Sequence, residues 1–358
     1  MGLLWERLSK RPTERNVVSI SSNSFFIYLF QDKFGNNDLV ELFGSDKHQR
    51  DGQSEQEHFV KTLIVTDDEM TSFHGDGLET YLSTLISMVS TLYKSPILEN
   101  SATIRFVKWI QLEHMQDGFV VGYEASDTLR QFCDWQFNVL HIDLNETTPD
   151  IDVAVLLTRH DIGKSETHNG SVRRINMLGL SDRGGACSTR HRCILVQDNG
   201  LSAAFTIAHE IGHSLGMKHD GNDKLCPDDG HIMSPDPPTG QRAFTWSACS
   251  AQYLRKFLSS EKSSCLRSDV KGNVEVEHVS IKPGQVYDAK KQCELAYSDS
   301  LEECPGKMVE CTMLWCLRPL NGSSTGQRCT SNLTPKMDGT KCGEGKVETH
   351  LFSYFISI

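Results

Sequence analysis

Hydrophobic positions along the 358-residue chain repeat with two periods, and each period predicts an element. Val60–Thr66 carries the unbroken apolar run Leu63-Ile64-Val65 and predicts a buried strand. Leu78, Tyr81, Leu82, Leu85, Val89 and Leu92 recur at three- and four-residue spacing and predict a helix that stops before Pro96. Thr103–Leu112 predicts a second strand, Ser126–Leu140 a second helix and Val153–Thr158 a third strand. That β-α-β-α-β order predicts an α/β domain with a mainly parallel sheet. Asp161–Gly184 is a looser stretch rich in charge and glycine. Cys193–Gln197 reads as an edge strand, and an antiparallel one would suit pairing with an extended peptide. Ala204, Ile207, Ala208, Ile211 and Leu215 form the apolar stripe of an amphipathic helix, with Ser202 placed to cap its N-terminus. A Pro-rich loop over 234–247 and a closing helix over Cys249–Leu258 follow.

The ends of the chain lack these periods. Residues 1–57 are polar and mixed in charge, and are expected to be mostly disordered. Ser24–Phe30 is apolar there, but it is short and lies too far in for a normal signal peptide. Lys47-His48-Gln49-Arg50 reads as solvated loop or a degenerate processing site. Residues 269–284 are a polar connector. From about residue 285 the chain turns Cys/Gly/Pro-rich, which predicts a small stapled module with no core of its own.

Charge and cysteine content narrow the picture. A net charge of -11 argues against nucleic acid or an anionic membrane as partner. No apolar run reaches the roughly 18 residues a transmembrane helix needs. Twelve cysteines, none before Cys133, imply either disulfides in an oxidising compartment or cysteine–zinc sites. Paired C-x-x-C knuckles are absent, which favours disulfides. Sequons at Asn145, Asn169, Asn321 and Asn332 agree with a secretory route.

The chemistry concentrates in His209-Glu210-Ile211-Gly212-His213-Ser214-Leu215-Gly216-Met217-Lys218-His219-Asp220. His209 and His213 are one helical turn apart and present two imidazoles on one side, opposite the apolar stripe. Two neutral imidazoles at that spacing can grip one zinc ion. Gly216 lets the chain turn back, because it has no Cβ, and His219 can then arrive as a third ligand. Three protein ligands leave a fourth position open, as catalytic rather than structural zinc requires. Glu210 is the carboxylate placed to take a proton from water on the metal. His231-Ile232-Met233-Ser234 can supply a methionine-containing turn beneath the site. The extended histidine spacing plus that turn is the metzincin signature.

With Asp220 after the third histidine, the motif resembles the reprolysin branch of the metzincins. Thr62–Val65, Phe132–Gln136, Asp152–Arg159, Ala204–Ala208 and Phe244–Ser247 resemble the ADAMTS family of secreted metalloproteases with thrombospondin motifs. Pro283–Ala289, Gln292–Leu295, Leu314–Cys316 and Asp338–Gly343 resemble that family's disintegrin-like domain. The resemblance implies a metzincin α/β fold with a mostly parallel sheet and an antiparallel edge strand, followed by a small disulfide-rich disintegrin-like module. It divides the chain into a non-family start (1–57), a metalloprotease domain (58–268), a linker (269–284), a truncated disintegrin-like domain (285–346) and an atypical tail (347–358). It implies zinc on His209, His213 and His219, Glu210 as general base, and Met233 as a shaping residue rather than a ligand. By family analogy the bridges are Cys133–Cys193, Cys187–Cys265, Cys226–Cys249, Cys293–Cys316 and Cys304–Cys329. Cys311 and Cys342 lack their downstream partners, so they are expected to be free thiols or to pair with each other. A family calcium site is weakened here, because Lys61 replaces a glutamate beside Asp152, and Ser268 with Asp269 one place late replaces an aspartate. A second calcium site falls on Gln197 and Asp198.

The expected function is a zinc-dependent endopeptidase that cuts internal bonds of secreted or extracellular-matrix proteins in the extracellular space. The alternative from another class is a non-catalytic matrix-binding or decoy module derived from such a protease; the intact Glu210 argues against it. A cytosolic cysteine–zinc protein is the third reading, and the cysteine spacing argues against that. The family's signal peptide, prodomain and thrombospondin repeats are not in the chain, so a fragment or short product of a larger gene is expected.

Overall fold

The computed structural model describes residues 25–28, 57–99, 101–112, 119–142, 150–168, 171–236, 240–267, 282–300, 302–308, 312–320, 326–331 and 334–342. In chain order the strands and helices are β1 (Phe25–Tyr28), β2 (Phe59–Thr66), α1 (Asp68–His74), α2 (Leu78–Tyr93), β3 (Thr103–Leu112), α3 (Ala125–Ile142), β4 (Val153–Thr158), β5 (Ile162–His168), β6 (Ser171–Met177), β7 (Gly179–Ser181), β8 (Cys193–Gln197), α4 (Ala203–Ser214), α5 (Ala248–Leu258), α6 (Pro283–Val286), α7 (Ala289–Ala296), β9 (Glu302–Glu303), β10 (Cys316–Pro319) and β11 (Gln327–Thr330). None of the described helices is long and apolar enough to cross a membrane.

Six strands form one sheet in the order β1-β3-β2-β4-β8-β7. The four central strands run parallel, and the two outer ones, β1 and β7, run antiparallel to their neighbours. Side chains alternate between the two faces, as a two-residue period demands. Val153, Val155 and Leu157 of β4 and Ile194 and Val196 of β8 join one core with α2 and α4. Ala154 and Leu156, with Cys193 and Leu195, join a second core under α3. Burial on both faces is why these strands read as unbroken apolar runs.

Two sequence expectations need correction and one is narrowed. Phe25–Tyr28, inside the stretch expected to be mostly disordered, is a strand, with Phe25 opposite Leu112 and Tyr28 opposite Trp109. Its aromatic and β-branched residues have strand propensity, and the neighbouring β3 offers a free ladder. The rest of 1–56 lies outside the described residues. The loose stretch 161–184 contains the hairpin β5–β6, paired over seven positions from Ile162↔Met177 to His168↔Ser171. Lys164–His168 and Ser171–Arg174 are exposed, so no apolar alternation betrays the hairpin. Finally, Cys193–Gln197 is not the edge strand: it lies between β4 and β7, and the antiparallel edge is Gly179–Ser181. Three residues, one of them glycine, leave almost no mark on a hydrophobic pattern.

Disulfides link Cys133–Cys193, Cys187–Cys265 and Cys226–Cys249 in the large unit, and Cys293–Cys316 and Cys304–Cys329 in the C-terminal module. Cys342 is also disulfide-bonded, which removes the free-thiol alternative for it; Cys311 lies outside the described residues. Among the described residues, the module's own buried apolar cluster is Ala289, Cys293, Leu314 and Cys316, with Tyr297 packed against it. Its Leu295 and Met337 instead enter the core shared by α2 and α4. Arg159 donates to the Leu295 carbonyl at 3.2 Å and to buried Asp198 at 2.6 Å, and stacks over Phe73. Gly200, with φ at +88°, lets the chain just before α4 pass the Ala296 backbone, where a Cβ would come within 2.9 Å.

Candidate active site

The site is built on the front of α4. Ala204, Ile207, Ala208 and Ile211 are fully buried behind it, and Tyr93 donates to the Ala208 carbonyl at 2.9 Å. Ser202 does not cap the helix with its side chain, contrary to expectation. Its hydroxyl turns back to the Asn199 amide oxygen at 2.9 Å instead. The helix ends in a Schellman motif: Met217 N–H bonds the Gly212 carbonyl at 2.9 Å and Gly216 N–H the His213 carbonyl at 2.8 Å. Gly216 takes φ +85°, a left-handed conformation that disfavours any side chain, and this turn returns His219 to the helix.

The three imidazoles converge. Their Nε2 atoms lie 3.1 Å (His209 to His213), 3.1 Å (His209 to His219) and 2.9 Å (His213 to His219) apart. His209 Nδ1 faces the Ile232 carbonyl at 2.6 Å, and His213 Nδ1 the Met217 carbonyl at 2.9 Å. A carbonyl only accepts, so both Nδ1 atoms carry the proton and both Nε2 atoms present lone pairs. Lone pairs aimed at one point repel, and one proton can bridge only one pair of them. A cation satisfies all three, and tetrahedral zinc with bonds of about 2.0–2.1 Å needs a similar nitrogen spacing. The donor set therefore fits zinc, and the carbonyls act as the outer shell that fixes each ring.

Electrostatics favour the same state. Burial pushes His209 down to about 3, helped by neighbouring His213, and pushes His213 down to about 4. Burial also lowers His219, against the pull of Asp220 and Asp228. All three rings are thus neutral ligands near neutral pH. Glu210 is buried, and burial raises its carboxyl to about 7 against a hydrogen bond from Ser181.

The floor and walls come from loops. Met233 is fully buried, its sulfur so close that a Cβ on Gly212 would approach it to 2.9 Å. The methionine turn is tied to the third-ligand loop by Asp220 N–H to the Met233 carbonyl at 2.9 Å. Asp220 Oδ1 accepts from Ser247 at 2.7 Å, and Ser247 caps α5. Segment 184–186 braces the end of α4, with Gly184 N–H on the His213 carbonyl and Ala186 N–H on the Ser214 carbonyl.

Sequence reasoning missed two residues here. Ser181 on β7 donates to Glu210 Oε2 at 2.6 Å. A Cβ on Gly179 would meet Glu210 Oε1 at 2.7 Å. No spacing rule signals either one.

The expected calcium ligands are engaged otherwise. Asp152 Oδ2 accepts from the Lys61 backbone N–H at 2.8 Å and faces the Lys61 ammonium at 3.4 Å. That ammonium also donates to the Cys265 carbonyl at 3.0 Å and faces Asp150 at 3.3 Å. Asp152 is thus paired with the fixed Lys61 cation. Asp198 is held by Arg159, Tyr81 and His74, and Gln197 donates to Asp161. Ser268 and Asp269, and the four sequon asparagines, lie outside the described residues.

Residues 58–269 match the family described as "Reprolysin (M12B) family zinc metalloprotease". The chain belongs to the reprolysin family. Residues 283–347 match the ADAMTS cysteine-rich domain 2. Over 296 residues this reprolysin is 36% identical to "A disintegrin and metalloproteinase with thrombospondin motifs 1" of Mus musculus, covering 80% of this chain and 29% of that protein. It is 37% identical over 296 residues to the mouse protein with the same name numbered 12, covering 81% of this chain and 18% of that protein. The human protein numbered 20 is 35% identical over 293 residues, covering 80% of this chain and 15% of that protein. The chain thus spans less than a third of the length of these relatives. The mixed α/β fold, the mostly parallel sheet with antiparallel edges and the disulfide-rich C-terminal region agree with that membership.

Proposed function

We propose that the chain is a zinc endopeptidase that cuts internal bonds of secreted or extracellular-matrix proteins. The convergence of three imidazole Nε2 atoms within 3.1 Å, one residue along from a buried glutamate, carries this reading. His209, His213 and His219 hold the zinc. Bound there, zinc supplies a Lewis acid for the scissile carbonyl and lowers the pKa of water toward about 7. Glu210 takes the proton of the attacking water and passes it to the leaving amine. The substrate lies extended along the outer edge of β7, which has no strand partner on that side among the described residues. The disulfides, together with the metalloproteinase names of the relatives, support an extracellular setting.

The test compares zinc-loaded wild type with Glu210→Gln on a library of internally quenched peptides. The account expects internal cleavage by wild type and a loss of at least about 100-fold in the variant. Equal rates, or no cleavage by either, would refute it and favour a non-catalytic binding module.

A further inference from the structure

We infer that Ser181 is a positioning residue for the general base, holding the Glu210 carboxylate in one orientation within a seat that Gly179 leaves open. The kinetic part of this inference rests on the endopeptidase reading; the structural part rests on geometry alone. Glu210 is 5% exposed, so water does not stabilise its carboxylate. Ser181 Oγ lies 2.6 Å from Oε2 and 3.1 Å from the Glu210 carbonyl, so its single proton goes to the nearer carboxylate oxygen with the carbonyl beside it. A hydroxyl hydrogen bond to a charged acceptor in a dry site is short, directional and strong.

Oε2 takes the Ser181 hydrogen bond and fixes which way the carboxylate plane faces. Oε1 and Cγ press into the place where Gly179 has no side chain: a Cβ there would stand 2.7 Å from Oε1, 2.8 Å from Cγ and 2.9 Å from Thr206 Cγ2. Any residue larger than glycine would drive the carboxylate out of this position. Gly179 and Ser181 are two apart on β7 and so share a face, the one toward α4. Leu180 between them packs into the opposite core. One side of this three-residue strand pairs with β8, the other remains open to an extended chain, and one face seats the base. The strand that receives substrate is therefore also the strand that aims the carboxylate.

The experiment uses the full zinc-loaded chain as wild type, Ser181→Ala, Ser181→Thr, Gly179→Ala and Glu210→Gln. Two readouts are taken: crystal structures, and kcat with KM on one quenched peptide, with zinc content checking that each variant is folded. Ser181→Ala should lower kcat about tenfold at unchanged KM and zinc content. Ser181→Thr, which keeps the hydroxyl on a strand-compatible side chain, should return to within about threefold of wild type. Gly179→Ala should lower kcat more than Ser181→Ala. The crystal structure of Ser181→Ala should show the Glu210 carboxylate rotated or spread over several positions. A carboxylate unmoved in that structure, or a threonine variant as slow as the alanine one, overturns the positioning role. Should wild type prove no faster than Glu210→Gln, the endopeptidase reading fails, and the Ser181→Ala structure still decides the positioning role by itself.

Discussion

Lys61 is the perturbation whose outcome the structure specifies most fully. Its ammonium is buried against Asp152, whose side chain is 1% exposed, and donates to the Cys265 carbonyl. Asp150, with a side chain 74% exposed, adds little through solvent screening. Lys61→Met removes the charge and keeps most of the stem. Leaving a buried partner charged and alone would cost about 3–5 kcal/mol. Protonation of Asp152 caps that loss. Burial already raises its carboxyl to about 6 against the Lys61 charge. At pH 7 the neutral form is therefore about one pH unit, on the order of 1 kcal/mol, away. Adding about 1 kcal/mol for the lost hydrogen bond gives a deficit of about 2–3 kcal/mol at pH 7. The sign follows from the raised folded value. Native Asp152 binds its proton below about pH 6, before the unfolded chain does near 3.8, so its ionisation weakens the fold as pH rises through 6. Losing Lys61 pushes the carboxyl higher still, and the deficit should shrink to about 1 kcal/mol at pH 5, where wild type is itself protonated. Urea titrations at pH 5 and 7 on the disulfide-intact chain measure both values, with a Tm shift at pH 7 of about 4–12 °C. Lys61→Met/Asp152→Asn should recover most of the loss. A deficit that is absent at pH 7, or larger at pH 5, would refute the argument.

Three further outcomes follow from the same geometry. Burial holds the His209 and His213 imidazoles below the unfolded 6.5, so the neutral ligand form persists to lower pH than in a free chain; zinc should survive dialysis at pH 5.5, and release already near 6.5 would contradict this. Gly216→Ala places a Cβ at φ +85° and 3.2 Å from Phe257, costing about 1–2 kcal/mol and shifting the third ligand; a competition titration should read zinc binding at least about tenfold weaker. Arg159→Met strips buried Asp198 of its guanidinium and Leu295 of a donor, and should cost about 2–4 kcal/mol while limited proteolysis releases the C-terminal module faster; an unchanged Tm would show the docking contact to be idle.

The sequence was most informative where apolar periodicity and chemistry coincide. β2, β3, β4, α2 and α3 lie within two residues of their expected bounds, because each is buried along a clear period. The three-histidine motif was legible because three histidines and a glycine must keep fixed offsets on a helix and its returning turn to converge on one point. The edge strand was not legible: Gly179–Ser181 is short, and the contacts of Ser181 and Gly179 with Glu210 reach 29 and 31 positions along the sequence. The β5–β6 hairpin escaped for a different reason, since its ladder is held by backbone and its outer residues, Lys164–His168 and Ser171–Arg174, face water on both sides. Lys61 could be read as incompatible with calcium, but only coordinates show that its own ammonium supplies the counter-charge. The docking of the module through Arg159, Leu295 and Met337 joins residues more than 130 positions apart, which no local pattern encodes.

Metal analysis combined with X-ray absorption on the purified, refolded chain tests the central claim most directly. One zinc per chain in a shell of three imidazole nitrogens, lost on His219→Ala with the fold retained, is the predicted result. A chain that folds with all its bridges but takes up no zinc, or holds it equally well without His219, would contradict it.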